Sequence, residues 1–284
     1  MKIFIAAHAG FCKGVQRAVR IAEDAAAQAQ GPVFTLGPLI HNPRVVRTMH
    51  ERGVRTAPGP DFDFPANATV VLPSHGTPAH VMQALQERGL TLVQAACPRV
   101  LAVHERIKKA LAQGRSVFLA GDPGHTEAAA AASLDPARIT VAASPRDVQR
   151  ANPPDAPSFL AAQTTFSPAI FRAIDKELSQ RIWDLDVFDS LCGHTLSAQQ
   201  AAARLAAQCS IMVVVGGGKS ANTERLREAC KSACARVRRV DSASALRRAM
   251  FRADDRVGIT AGASTPPEHI REVRDWLCAR FEID

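Results

Sequence analysis

The chain has no tyrosine and few other aromatics, two Trp and 12 Phe among 284 residues. Single-stranded nucleic acid is held largely by base stacking on aromatic faces, so a stacking platform has little to build on, and no RNA-reading aromatic motif is present. No apolar run reaches the roughly 18–20 residues that a membrane-spanning helix needs. The opening MKIFIAAHAGFCKG lacks the long apolar stretch and small-residue cleavage site of an export signal. The expectation is a soluble protein of the cytoplasm with no membrane partner. Cysteine is odd in number, seven, and without export a disulfide framework is not expected. Cysteines that do not pack a core are then metal ligands or reactive thiols.

A net charge of +8 favours anionic partners, phosphorylated metabolites among them. The arginines at 236, 238, 239, 247, 248, 252 and 256 crowd the last quarter but spread over several elements. They read as a solvated surface, and nucleic acid is not expected as a partner.

Short apolar runs alternate with amphipathic stretches. Strands are predicted at 2–7, 32–36, 68–73, 91–96, 116–121, 139–143, 158–163, 210–216 and 256–262. Most are nearly continuously apolar, as a parallel strand covered on both faces must be. Helices are predicted at 15–28, 43–52, 78–88, 99–113, 168–181, 195–208, 222–235 and 266–281. Pro43, Pro78, Pro168 and Pro266 suit a first helical turn, where the missing N–H costs nothing. The alternation argues an α/β protein with mainly parallel sheets. The Pro- and Asp-rich segments 58–67 and 144–158 read as a loop within a domain and as a loop or linker.

Ligands of parallel α/β sheets bind beyond the carboxyl ends of the strands. There the sequence places Cys12, His41 with Asn42, Ser74-His75-Gly76-Thr77, Cys97, His125 with Glu127, Thr164-Thr165 with Ser167, Lys219 to Thr223, and Ser264-Thr265. Nearly every strand end delivers a polar or metal-binding side chain beside glycine, and this set is the functional signal.

Cys12, Cys97 and Cys192 share one setting, a strand or loop end opening a helix, at nearly even separations. That weak repetition fits three similar α/β modules. The three thiols are either small buried hydrophobes at junctions or ligands of an iron–sulfur cluster. With three thiolates a cubane cluster keeps one iron without a protein ligand, open to a substrate oxygen. His41, His75 and His125, with Ser, Thr and Asn, suit a phosphate cradle. GGGKS lacks the upstream glycine of a Walker loop, because position 213 is Val. Glu127 is either a proton donor or an ordinary carboxylate in a first helical turn. Cys209, Cys230, Cys234 and Cys278 read as core.

GFCKGVQRAV, GPLIHNPRVV, SHGTP, CPRVLAVHERI, GHTE, QTTFS, VVVGGGKSANTERL and GITAGASTPP, in this order, resemble the 4-hydroxy-3-methylbut-2-enyl diphosphate reductase (LytB/IspH) family over nearly the whole chain. The resemblance implies three similar α/β domains around a central iron–sulfur cavity, here 13–96, 97–191 and 192–284, joined by the N-terminal strand 1–12. It implies a 4Fe-4S cluster on Cys12, Cys97 and Cys192 with an open apical iron. An allylic diphosphate would lie among His41, His75, His125, Ser220, Asn222 and Ser264. Glu127 would feed protons, with His125 beside it, and Thr164 would hold the substrate hydroxyl. The implied reaction is reductive dehydroxylation to isopentenyl and dimethylallyl diphosphate, with a ferredoxin- or flavodoxin-type electron donor. The chain departs from the family pattern at AAHAGFC, at Ala96, after GHTE, at Ala221 and at His194. The alternative readings are a divergent paralogue reducing another cluster-bound allylic substrate, or a non-catalytic iron–sulfur redox sensor.

Overall fold

A computed structural model describes residues 1–153, 155–218 and 220–283. Lys219 of the GGGKSANT turn and Pro154 of the 144–158 segment lie outside them. The described strands form three four-stranded sheets, and every pairing is parallel.

One sheet holds β2 (Val33–Leu36), β3 (Val54–Ala57), β4 (Thr69–Leu72) and β5 (Thr91–Gln94), in the order β3-β2-β4-β5. Another holds β6 (Ser116–Ala120), β7 (Ile139–Ala142), β8 (Ser158–Ala162) and β9 (Leu185–Val187), in the order β7-β6-β8-β9. The last holds β10 (Ile211–Val215), β11 (Val237–Val240), β12 (Arg256–Ala261) and β1 (Lys2–Ile5), in the order β11-β10-β12-β1. Within each sheet the order is second, first, third, fourth. The last sheet takes its fourth strand from the start of the chain, where Ile3 pairs with Val257 and Ile5 with Ile259.

The two inner strands of each sheet are buried almost throughout. The reason is visible on β10. Ile211, Val213 and Val215 pack into one core with Ile259 and Val273, whereas Met212 and Val214 face a different core with Leu226 and Cys230. Side chains alternate across a strand, so a strand with a core on each side must be apolar at every position. Burying each Val, Ile or Met here contributes about 1.5–3 kcal/mol relative to exposure.

The outer strands β3, β9 and β11 read VRTA, LDV and VRRV and expose their charged residues. They have no continuous apolar run, and none of the three was predicted. All three are sheet edges, where charge also blocks pairing with another chain.

The helices are α1 (Lys13–Gln28), α2 (Pro43–Glu51), α3 (Ala79–Glu87), α4 (Pro98–Ala112), α5 (Thr126–Ala132), α6 (Pro145–Ala151), α7 (Pro168–Ser179), α8 (Gly193–Ala206), α9 (Ala221–Lys231) and α10 (Pro267–Cys278). The segment 144–158 is therefore not all loop or linker. Asp147 accepts from Ala143 N and Ser144 Oγ and so opens α6, and Asn152 ends it in the left-handed region at φ +43°. Short α5, Ala-rich and without an apolar period, was also missed as an element. Cys278 is exposed, not core, because it lies one residue past the buried stripe Ile270, Val273, Leu277 of α10. Cys230 and Cys234 are buried as expected, and Cys209 is half-buried against them.

The chain divides into two compact units. One comprises Met1–Gln16, Ile40–Thr48 and Gly193–Asp284 and contains the β11-β10-β12-β1 sheet. The other comprises Arg17–Leu39 and Met49–Cys192 and contains the other two sheets. No helix of the described residues is long and apolar enough to cross a membrane.

Candidate active site

The repeated strand order places chemistry in a repeated way. The fourth strand of each sheet, β1, β5 or β9, runs into Cys12, Cys97 or Cys192, and each cysteine directly precedes a helix, α1, α4 or α8. Each cysteine's backbone N–H is also tied to a carbonyl just beyond the third strand of its own sheet. Cys12 N donates to Ala263 O (3.2 Å), Cys97 N to Ser74 O (2.9 Å) and Cys192 N to Thr164 O (2.7 Å).

All three are half-buried and outside any disulfide. A sulfur at a helix N-terminus lies within reach of amide donors that have no partner inside the helix. Cys12 shows this directly, its Sγ accepting from Val15 N at 3.3 Å. Partly exposed sulfurs at helix starts suit an iron–sulfur group, whereas core thiols do not. The contrast is Cys230, whose thiol burial pushes up to about 12. Among the described residues no three His, Cys, Asp or Glu side chains form a ready metal-binding group.

In the unit holding Cys97 and Cys192, the sequence-predicted Glu127, Thr164 and His125 come together. Glu127 lies in the first turn of α5 and is only 5% exposed. Thr164, just past β8, gives it two hydrogen bonds, N to Oε1 at 2.7 Å and Oγ1 to Oε2 at 3.0 Å. Burial pushes the Glu127 carboxyl up to about 7, while the Thr164 bonds pull the other way. Desolvation wins because no cation among the described residues offsets it. His125 caps α5, its Nδ1 accepting from Glu127 N at 3.2 Å. An accepting Nδ1 puts the ring proton on Nε2, which is then a donor.

Gln163, missed as a site residue because it closes an apolar run, braces this group. Its Oε1 accepts from Asp122 N (3.0 Å) and its Nε2 donates to Thr165 Oγ1 (2.9 Å), so it ties the ends of β6 and β8 together. A buried amide at the carboxyl end of a continuously apolar strand was the available signal. His75, half-buried after β4, belongs to this unit too.

In the other unit, His41, Ser220, Asn222 and Ser264 surround the turns after β10 and β12. Asn42 caps α2 through Arg44 N and donates Nδ2 to Ser264 O at 2.7 Å. Ser264 Oγ donates to His41 O at 3.4 Å. A Cβ on Gly217 would stand 3.1 Å from His41 O, so the glycine turn lies directly on that carbonyl. Ser220 caps α9 by accepting from Thr223 N. Asn222 Oδ1 is buried without a hydrogen-bond partner among the described residues, as happens where a separate ligand completes the pairing. Burial pushes the His41 pKa down, so its ring is a neutral donor near pH 7.

His8 and His194 meet in this unit. The rings of His8 and His194 stand edge to face, centroids 5.9 Å apart, with His8 at φ +59°.

A family model described as LytB protein matches residues 3–278. The 4-hydroxy-3-methylbut-2-enyl diphosphate reductase of Aquifex aeolicus is 35% identical over 278 residues, 97% of this chain and 95% of that one. The protein of the same name from Trichlorobacter lovleyi is 36% identical over 277 residues, 98% of each chain. A solved structure of (E)-4-hydroxy-3-methyl-but-2-enyl diphosphate reductase, the terminal enzyme of the non-mevalonate pathway, matches with TM-score 0.75 at 34% identity, over 98% of this chain and 100% of that one. The Plasmodium falciparum E-1-hydroxy-2-methyl-but-2-enyl-4-diphosphate reductase, 21% identical, shares the fold with TM-score 0.92 over 100% of this chain and 91% of that one. With a family match that runs from strand β1 to the end of α10, the chain belongs to the LytB protein family.

Proposed function

We propose that this chain is an iron–sulfur reductase that converts 4-hydroxy-3-methylbut-2-enyl diphosphate to isopentenyl and dimethylallyl diphosphate, the last step of the non-mevalonate isoprenoid pathway. The observation that carries the reading is the buried Glu127–Thr164 pair. A carboxyl brought to about 7 by burial holds a proton at the pH where it must give one up. A hydroxyl at 3.0 Å is a ready relay for it. A redox sensor needs its cysteines but has no use for that relay.

Cys12, Cys97 and Cys192 would hold a 4Fe-4S cluster, which when bound supplies two electrons, received singly from a ferredoxin- or flavodoxin-type donor, and a Lewis-acidic iron without a protein ligand. His41, His75, His125, Ser220, Asn222 and Ser264 take the diphosphate through side-chain donors and the α9 N-terminus. Thr164 orients the substrate hydroxyl, and Glu127 delivers a proton through Thr164 Oγ1. The balance is two electrons and two protons in, the carbon–oxygen bond broken, water released and one allylic carbon protonated. We assign the domains as 13–96, 97–191 and 192–284 with strand 1–12, and the compartment as the cytoplasm.

The test is anaerobic cluster reconstitution followed by turnover with dithionite and methyl viologen. EPR of the reduced protein is recorded with and without the hydroxymethylbutenyl diphosphate. The expected results are a cluster signal that substrate reshapes, and a Glu127→Gln variant that keeps the cluster and loses turnover by about a hundredfold or more. Turnover of the variant at the parent rate would overturn the assigned proton path. Absence of a cluster would overturn the reductase reading itself.

A further inference from the structure

His104 has no part in the site described so far, yet it is built into it. It lies on α4, seven residues after Cys97, so two turns of helix put both on one face. The residue is 7% exposed, and its Nε2 is buried with no hydrogen-bond partner among the described residues. Buried ring nitrogens in native structures are nearly always paired, so an orphan calls for an explanation.

What the ring touches supplies one. A Cβ built on Gly76 would stand 3.2 Å from His104 Cε1, 3.3 Å from Val100 Cγ1 and 3.5 Å from Ala130 Cβ. Gly76 is in the left-handed region, φ +90°, between His75 and Thr77. The loop can therefore reach this position only as glycine, and only against the His104 ring. Thr77 Oγ1 is likewise buried and, among the described residues, unpartnered. The loop is clamped from both sides. Ser74 O accepts from Cys97 N at the start of α4, and Ala79 N donates to Ser133 Oγ, which itself donates to Ala130 O at the end of α5. His104 thus stands where α4, α5 and the His75 loop meet. Burial pushes its pKa down, so it is a neutral ring with one nitrogen donor and one acceptor.

We propose that His104 is a positioning residue for the reaction: its ring, and the Nε2 left unpaired beneath the loop, set the direction in which Gly76 presents His75 to a bound diphosphate. The inference rests on the reading of His75 as an anion ligand. His104 does not touch substrate. It determines how well His75 can.

The test compares His104→Phe, which keeps a ring and removes both nitrogens, with His104→Gln, whose amide replaces a nitrogen near Nε2. Two quantities are read anaerobically on the reconstituted protein. One is the split between KM and kcat. The other is the rate at which diethyl pyrocarbonate modifies half-buried His75, followed by peptide mass. The expected result for His104→Phe is a KM raised about tenfold with kcat within twofold, and a His75 modification rate changed severalfold. His104→Gln should bring both back to within threefold of the parent. A His104→Phe protein with parental KM and parental His75 reactivity overturns the inference, as does a His104→Gln protein no better than His104→Phe. Should His104→Phe not fold, His104→Met removes the same nitrogens with a more adaptable side chain and carries the same signs. A parent that neither turns over nor binds the diphosphate overturns the reductase reading instead, and the His75 modification rates still decide the role of His104.

Discussion

Replacing Glu127 by Gln keeps the shape of the side chain and removes its charge, and the consequence for stability can be worked out. In the folded protein burial brings the carboxyl to about 7, from an ordinary value of 4.5. That gap is worth on the order of 3 kcal/mol. The folded state therefore binds this proton more tightly than the unfolded chain. Between pH 4.5 and about 7 the folded state holds more protons, so stability falls as pH rises and the full cost is present above about 7. Gln cannot titrate and never bears the cost. It also keeps both contacts, its oxygen accepting from Thr164 N and its amide donating to Thr164 Oγ1, since the hydroxyl can turn. Urea unfolding of parent and variant at steps from about pH 5 to about pH 8 reads the difference, and other titrating groups cancel between the two proteins. The variant should gain on the parent by about 3 kcal/mol across that range. A difference that stays flat would refute the reasoning, because the carboxyl would then be an ordinary one. A constant difference in which the variant is the less stable protein would mean that the two Thr164 bonds outweigh desolvation, and Glu127 would carry no proton to donate near neutral pH.

Gly262→Ala should destabilise the protein by about 1–3 kcal/mol, because the new Cβ would come within 2.2 Å of Thr223 Oγ1, a fully buried residue of α9; thermal melting reads the loss, and weaker pyrophosphate binding should accompany it, since α9 carries Asn222. Asp255, 3% exposed, accepts from Arg236, Ser210 and Arg252 N. Burial pushes its carboxyl up, but those bonds together hold it below the ordinary range, so Asp255→Asn should cost about 3 kcal/mol near neutral pH and progressively less as acid protonates the parent, a trend that denaturation at falling pH checks. Single Cys12→Ser, Cys97→Ser and Cys192→Ser variants should each lose cluster absorbance on reconstitution, whereas Cys278→Ser, on the exposed end of α10, should retain it.

How far the sequence could be read depended on burial. The inner strands were visible because a core on each face demands unbroken apolar runs, as on β10. Strands β3, β9 and β11 were not, since charged residues interrupt these short edge strands and VRRV looks like loop. Helix α6 was hidden in a proline-rich segment, where Pro145 marks a first helical turn rather than an absence of structure. Of the site, the polar residues at strand ends were legible because strand ends are where a parallel sheet leaves side chains free to meet a ligand. Gln163 and His104 were not, because each looks like an ordinary member of its strand or helix until the partner across the fold is known.

The sequence by itself determined the α/β class and, through its motifs, the family, and it singled out the residues proposed for the chemistry, since periodicity, glycine turns and strand-end side chains are local properties. Only the tertiary structure decided that the first strand completes the last sheet, that Glu127 loses its water to become a carboxyl near 7, and that His104 lies against Gly76. Each of these depends on which distant segments exclude solvent from one another, and no local pattern of residues encodes that.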